Sequence, residues 1–344
     1  MKFGLFGGGR VGKLDPLGDS YGYRDFIQYI QDADQMGFEN AFVVEHHFTG
    51  QGQLSASLNL LSFLAARTSR IRLGTAVVVL PWHNPVLLAE QVTTLDVLSE
   101  GRVNLGVGRG YRKAEFDQFC IPMAEEAQER YTECLALMLK AFTSRERFSW
   151  HSKHWNFEDI VVEPAPVQLP HPPIWMAAGR AEGIAFVGQS NYNLLLDHIA
   201  NIEETTERVR IYKDAQAASG IAPDASRVGV ARQLNFVYTP EERRAAYKKR
   251  RESLVNIREL AKKPVGYDPT KFDDDDIAAD NAALIGTPEE IVERLQRLAE
   301  GGVEHVLLTP ANVSRKTLDT FANKVMPHIK QPSTPRAASL SAAA

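Results

Sequence analysis

Short apolar runs without strict alternation recur along the chain, separated by longer stretches in which apolar residues return every three or four positions. The short runs, Phe3–Phe6, Ala41–Val44, Ile71–Val79, Val103–Val107, Ile174–Met176, Leu194–Leu196, Val228–Tyr238 and His305–Leu308, predict strands. Apolar side chains on both faces suit parallel strands covered on both sides. The longer stretches predict helices over Arg24–Met36, Leu54–Thr68, Val86–Leu98, Ala124–Phe142, Ile202–Ala218, Pro240–Leu260, Pro288–Ala299 and Thr317–Met326. Gly37 closes the first of these. Thr287-Pro288-Glu289-Glu290 opens the seventh, with Thr as N-cap, Pro at the first helical position and acids in the first turn. Eight strands alternating with helices predict an α/β chain folded as one (β/α)8 TIM barrel over residues 1–330 rather than an open sheet.

Two segments stand outside this rhythm. Lys262–Ala283 carries Pro264, Gly266, Pro269 and the run Asp273–Asp276, which suits either a solvated surface loop or a lid over a site. The last residues, 331–344, are rich in Pro, Ser and Ala and read as a disordered tail.

Composition narrows the function classes. Of 344 residues, 44% are hydrophobic and 24% charged, as in ordinary globular proteins. A net charge of −4 supplies no basic field for nucleic acid. No apolar run approaches the roughly 20 residues of a membrane span, and the apolar part of Met1–Gly7 is too short for a signal peptide. Cys120 and Cys134 have no metal or disulfide spacing and read as free thiols, buried or partly so, in a reducing cytoplasm.

The candidate chemistry sits where strands end. Glu45-His46-His47-Phe48 follows the strand Ala41–Val44, and the C-terminal ends of barrel strands are where active sites collect. Adjacent histidines on extended backbone diverge, so one is expected to enter the site and the other to turn into the wall. Gly106-Val107-Gly108-Arg109-Gly110-Tyr111 lets backbone approach a ligand and leaves the Arg109 guanidinium free to point inward. Trp175–Gly183 runs from a strand into a helix, whose first amide groups, with Arg180 beside them, suit a phosphate. Gly74–Pro81, small and β-branched, suits a flat ring, and Trp82, Tyr111 and Phe116 suggest an apolar or aromatic ligand. Gly7-Gly8-Gly9-Arg10-Val11-Gly12 matches a dinucleotide fingerprint in spacing only. The segment Leu14–Asp19 is expected to break a helix there, and Glu45 lies too far on.

These segments resemble the bacterial luciferase-like flavin monooxygenases, above all the alkanal-oxidising luciferase subunits. The matching stretches are Met36-Gly37-Phe38, Glu45–Phe48, Gly74–Pro81 with Pro85, Asp96–Arg102, Gly108-Arg109-Gly110, the loop around Gly179, and Gly286–Glu290. The resemblance implies a barrel that takes reduced FMN (FMNH2) as cosubstrate from a separate NAD(P)H:flavin reductase. Oxygen would add to the flavin as a C4a-hydroperoxyflavin and oxygenate a small organic substrate. It implies His46 near the reactive edge of the ring, with Glu45 in the same motif. Arg109 would stand at the flavin pocket, and Ala178, Gly179, Arg180 and Gly183 at the phosphate. It implies a non-proline cis peptide at Ala76-Val77, packed against the ring, and a homodimer paired through early helices. Arg180 and Gly183 stand where the family often has Ser or Thr, and Gly108 where the luciferases have a reactive cysteine, which argues against light emission. The rival readings are a deazaflavin-dependent oxidoreductase of the same superfamily, a non-catalytic flavin-binding subunit, and a metal hydrolase, for which no ligand set beyond His46 is visible.

Overall fold

The structure, a computed structural model, describes residues 1–8, 16–48, 54–261, 282–310 and 314–329. The expected lid, apart from its last two residues, and the tail 331–344 lie outside the described residues.

The strands in chain order are β1 (Lys2–Gly7), β2 (Asn40–Val43), β3 (Arg72–Thr75), β4 (Val78–Val79), β5 (Val103–Gly108), β6 (Phe148–His151), β7 (Asn156–Ile160), β8 (Ile174–Ala177), β9 (Asn193–Leu196), β10 (Val228–Phe236), β11 (Leu284–Gly286) and β12 (His305–Pro310). Pairing runs parallel through β12, β1, β2, β3, β5, β8 and β9, with β4 beside β5. β10 joins β9 at Val228↔Leu194 and β12 at Gly229↔His305, which closes the ring. The result is the expected eight-position parallel barrel. Its eight strand runs each fall on a predicted one, because buried parallel strands leave continuous apolar runs.

Alternate residues along each strand face opposite sides. One set, including Phe3, Leu5, Val43, Leu105, Met176 and Leu308, packs outward against the helices. The other set fills the barrel. Its centre is Phe42, Trp175, Leu195 and Leu307, with Phe6, Ala76 and Val77 packed on it toward the C-terminal mouth. Phe42 and Trp175 meet edge to face with ring centroids 5.2 Å apart. Rings of that size leave no room opposite: a Cβ at Gly74 would stand 2.4 Å from Phe42.

The structure departs from the sequence-based expectations in four places. The run Ile71–Val79 is two strands, divided at Ala76-Val77. Pro16–Asp19 does not break a helix but lies within α1 (Pro16–Gln35), and Leu14 and Asp15 lie outside the described residues. Proline suits the first helical position, where its missing N–H has no intrahelical partner to lose. The antiparallel pair β6 and β7 and the short β11 were not expected. β6 and β7 form a separate two-stranded sheet and are at most half-buried, so they leave no apolar run, whereas the three-residue β11 is buried and extends the barrel sheet by pairing parallel with the end of β10. Lastly, Cys134 is buried but Cys120 is exposed, at the end of a short helix. Among the described residues no helix is long and apolar enough to cross a membrane.

Candidate active site

The chain leaves β2 through Val44 and runs along the C-terminal rim as Glu45-His46-His47-Phe48. Glu45 is 4% exposed and fully engaged. Its Oε1 accepts from His83 Nε2 at 2.8 Å and His47 Nε2 at 3.1 Å, and its Oε2 from the Val79 amide at 2.8 Å. Burial alone would raise this carboxyl. The bonds from His47 and His83 and the Val79 amide outweigh it and hold the group down to about 2. The Glu45 carboxylate therefore pins β4 and two imidazoles.

His46 turns the other way. Its Nδ1 lies 3.2 Å from Oε1 of Glu115, which also accepts from the His47 amide at 2.9 Å. A carboxylate only accepts, so Nδ1 carries the proton and Nε2 keeps its lone pair. Nε2 has no partner among the described residues. Burial lowers the His46 pKa from its ordinary value, against the opposing pull of Glu115, so the ring is neutral at pH 7. The two histidines diverge as expected, and His47 packs edge-on against Trp82 and Phe119.

Ala76 and Val77 form the floor of the mouth. The Ala76-Val77 peptide is cis, as the resemblance implied. Both residues rest on the interior aromatic layer. A Cβ at Gly108 would come within 2.5 Å of Val77 Cγ2, so the cysteine of the luciferases has no space here. Ala177, the last residue of β8, continues the strip of small side chains, whereas Ala178 packs on the outer core beside the helix that follows.

Val107 pairs with Met176, so Arg109 and Ala178 leave the rim side by side. Arg109 corrects one expectation. Its guanidinium is not free and inward but exposed, donating to Gln128 at 3.2 Å on the helix Met123–Thr143. Just past Ala178 the helix α6 (Ala181–Gln189) begins. Arg180 is its N-cap and makes no side-chain cap, so the first amide groups of the helix are available to an anion. A Cβ at Gly183 would sit 3.4 Å from the Ala178 methyl, and one at Gly179 would sit 3.9 Å from the Arg208 guanidinium. Of the aromatics singled out, Trp82 and Phe116 pack on each other at 5.4 Å, and Tyr111 stands 39% exposed with its ring edge-on to His46.

Sequence reasoning missed Glu115 and His83. Glu115 lies 69 residues from His46, in a short helix with no motif of its own, and only the folded rim brings the two together.

A floor of small residues and an uncapped helix start lie at the C-terminal mouth of a parallel eight-position barrel, which makes the molecule a TIM barrel with its candidate site at the usual face. Within that class the chain belongs to the luciferase-like monooxygenase family, which it matches over residues 1–305. It is 26% identical over 332 residues to the FMNH2-dependent dimethylsulfone monooxygenase of Pseudomonas putida, covering 91% of this chain and 90% of that one. Alignments with two other curated relatives span only 59% and 52% of those proteins. Among solved structures, the oxygenating constituent of 3,6-diketocamphane monooxygenase from Pseudomonas putida, in complex with FMN, superimposes with a TM-score of 0.78 at 20% identity, over 96% of this chain and 99% of that one. An F420-dependent secondary alcohol dehydrogenase superimposes at 0.76 and 16% identity, with the same coverage. At such identities the superpositions establish the fold.

Proposed function

We propose that this protein is the oxygenase of a two-component FMN-dependent monooxygenase. It takes reduced FMN from a separate NAD(P)H:flavin reductase and uses O2 to oxygenate a small organic substrate. The observation that carries this reading is the uncapped start of α6 beside Arg109, at the end of the floor made by Ala76, Val77 and Gly108. The residues present fit FMN: amide groups of Ala181–Gly183 with Arg180 and Arg109 for the phosphate, and apolar small residues for the ring. Bound reduced flavin supplies the electrons that activate O2.

The chain's own residues position and protonate. Glu45 fixes the Val79 amide and thereby the strand that follows the floor. Glu115 holds the His46 tautomer, leaving Nε2 as a base toward the mouth. His47, tied to Glu45, supports the wall.

Exposed Phe63, Leu87 and Leu98 on the helices Ser57–Ala65 and Pro85–Leu98 support a homodimer through these early elements.

The test is oxygen uptake with FMNH2 across aldehydes, ketones, sulfonates and aromatics, with product analysis. Arg180→Ala should weaken FMN by about 1.5–3 kcal/mol. Hydride transfer from a reduced deazaflavin without oxygen uptake would establish the rival that the alcohol dehydrogenase fold suggests. Flavin binding without turnover would mark an accessory subunit.

A further inference from the structure

Across the mouth from the phosphate cradle, beyond β9, stands a group of polar side chains that the reading above does not use. Gln233 on β10 and Thr309 on β12 are register partners. Both share the inward face with Gly229 and Leu307, which contact the interior layer. Arg250, on the helix Pro240–Ala261, reaches over these strand ends. It is 1% exposed and donates to Gln233 Oε1 at 2.8 Å and to the His198 carbonyl at 3.0 Å.

Among the described residues, three donors in this group have no acceptor. Arg250 Nε and Thr309 Oγ1 are buried without a partner among the described residues. Gln233 must turn its oxygen to Arg250, so its NH2 faces away, and it donates to nothing among the described residues.

The charge balance points the same way. Among the described residues, the carboxylates of Asp197 and Glu204 stand at this end, and Arg208 holds both at 2.9 Å. Buried Arg232 bonds the carbonyls of Ala231 and Asp197 and the hydroxyl of Thr205. No carboxylate among the described residues pairs with Arg250. Burial brings Arg250 down to about 10, so it stays charged at neutral pH. Burial, then the charge of Arg250, pushes His198 down to about 4, so that ring is neutral. A buried cation without a counter-ion among the described residues is stabilised by an arriving anion.

We propose that Arg250, Gln233 and Thr309 form an anion subsite that holds a carboxylate or sulfonate of the organic substrate. The substrate is then an organic anion, with its apolar body directed over Phe6 and Val77 toward the flavin side. The proposal rests on the flavin phosphate occupying the α6 cradle.

The experiment is calorimetric titration of the full chain with hexanoate, hexane-1-sulfonate and hexan-1-ol, with and without FMN. The two anions should bind about 10- to 100-fold more tightly than the alcohol, the range for hydrogen bonds to a charged group. The ratio between the two anions tells which head group fits better. Arg250→Met should remove that advantage and leave FMN affinity unchanged. Equal binding of alcohol and anions, or no binding of either anion, overturns the proposal. So does a loss of FMN affinity in Arg250→Met, which would give Arg250 to the flavin phosphate. The wild-type comparison decides the matter even if the variant does not fold. If the anions fail while FMNH2 still supports oxygen uptake, the subsite falls and the monooxygenase reading stands; the converse result separates them in the other direction.

Discussion

Glu45 and His46 are neighbours in sequence with opposite duties. Glu45 is buried, and its carboxyl is held at about 2 against an ordinary 4.5. A depressed carboxyl stabilises the fold above its unfolded value and loses that contribution as pH falls through the folded one. Its share is roughly 3 kcal/mol, present above about pH 4.5 and gone near pH 2. Glu45→Gln should therefore be less stable than wild type at pH 5, with the gap closing steadily toward pH 2.5 in urea titrations. A gap that stays constant with pH would remove the linkage. For His46, replacement by Ala should leave the fold intact and lower productive oxygenation by about 10²–10⁴-fold, with H2O2 formed instead. His47→Ala, whose ring is tied to Glu45, should uncouple less. The product-to-peroxide ratio in the two variants decides which histidine serves the flavin. The sequence showed this motif because polar residues at a strand end stand out against apolar runs. It did not show Arg250, which sits in the charged run Lys248-Lys249-Arg250-Arg251, where only the fold buries one cation and exposes its neighbours.

Among the elements, the clearest local signal was the start of the helix Pro288–Glu300. Thr287 and Glu290 form a reciprocal capping box there, with Pro288 at the first position. Glu290 does more than its motif announced. It also binds Arg243 through both oxygens, at 2.8 and 2.6 Å, and so ties this helix to the one that carries Arg250. Glu290→Ala removes the bond to the Thr287 amide and the half-exposed ion pair. A cap is worth about 1 kcal/mol and an exposed pair less, so a loss of about 1–2 kcal/mol is expected in chemical denaturation. Amide exchange should quicken in the first turns after Pro240. Strand positions were legible for the same reason that their break was not. Apolar content continues through Ala76 and Val77, and composition does not encode the isomer of the peptide between them; that came only from the resemblance. The β6–β7 hairpin holds by pairing rather than burial, so it left no hydrophobic trace.

At the scale of the molecule, apolar side chains remain on the outside of the early helices. Phe63 is 51% exposed and Leu87 53%. Phe63→Glu combined with Leu87→Glu should convert a dimer to a monomer in light scattering, without loss of helicity. A wild-type monomer would refute the pairing. The mouth itself is uneven around its circumference: small side chains and an uncapped helix start follow β5 and β8, while buried arginines, and donors without acceptors among the described residues, follow β9, β10 and β12.

Trp175 gives this barrel an optical property. The indole is 94% shielded from solvent, 6% remaining accessible, and it packs with Phe42, Leu195 and Leu307 directly beneath Ala76 and Val77. An indole in such dry, fixed surroundings emits, and a flavin resting on that floor would accept its excitation across one layer of side chains. Titrating unlabelled protein with FMN should therefore dim the tryptophan emission, and Trp175→Phe should remove most of the change while leaving the calorimetric affinity as it was. Should the dimming persist in Trp175→Phe, the ring lies nearer to Trp82 than to the barrel axis. Cofactor arrival and departure then become visible in real time, by light alone, in the unmodified chain.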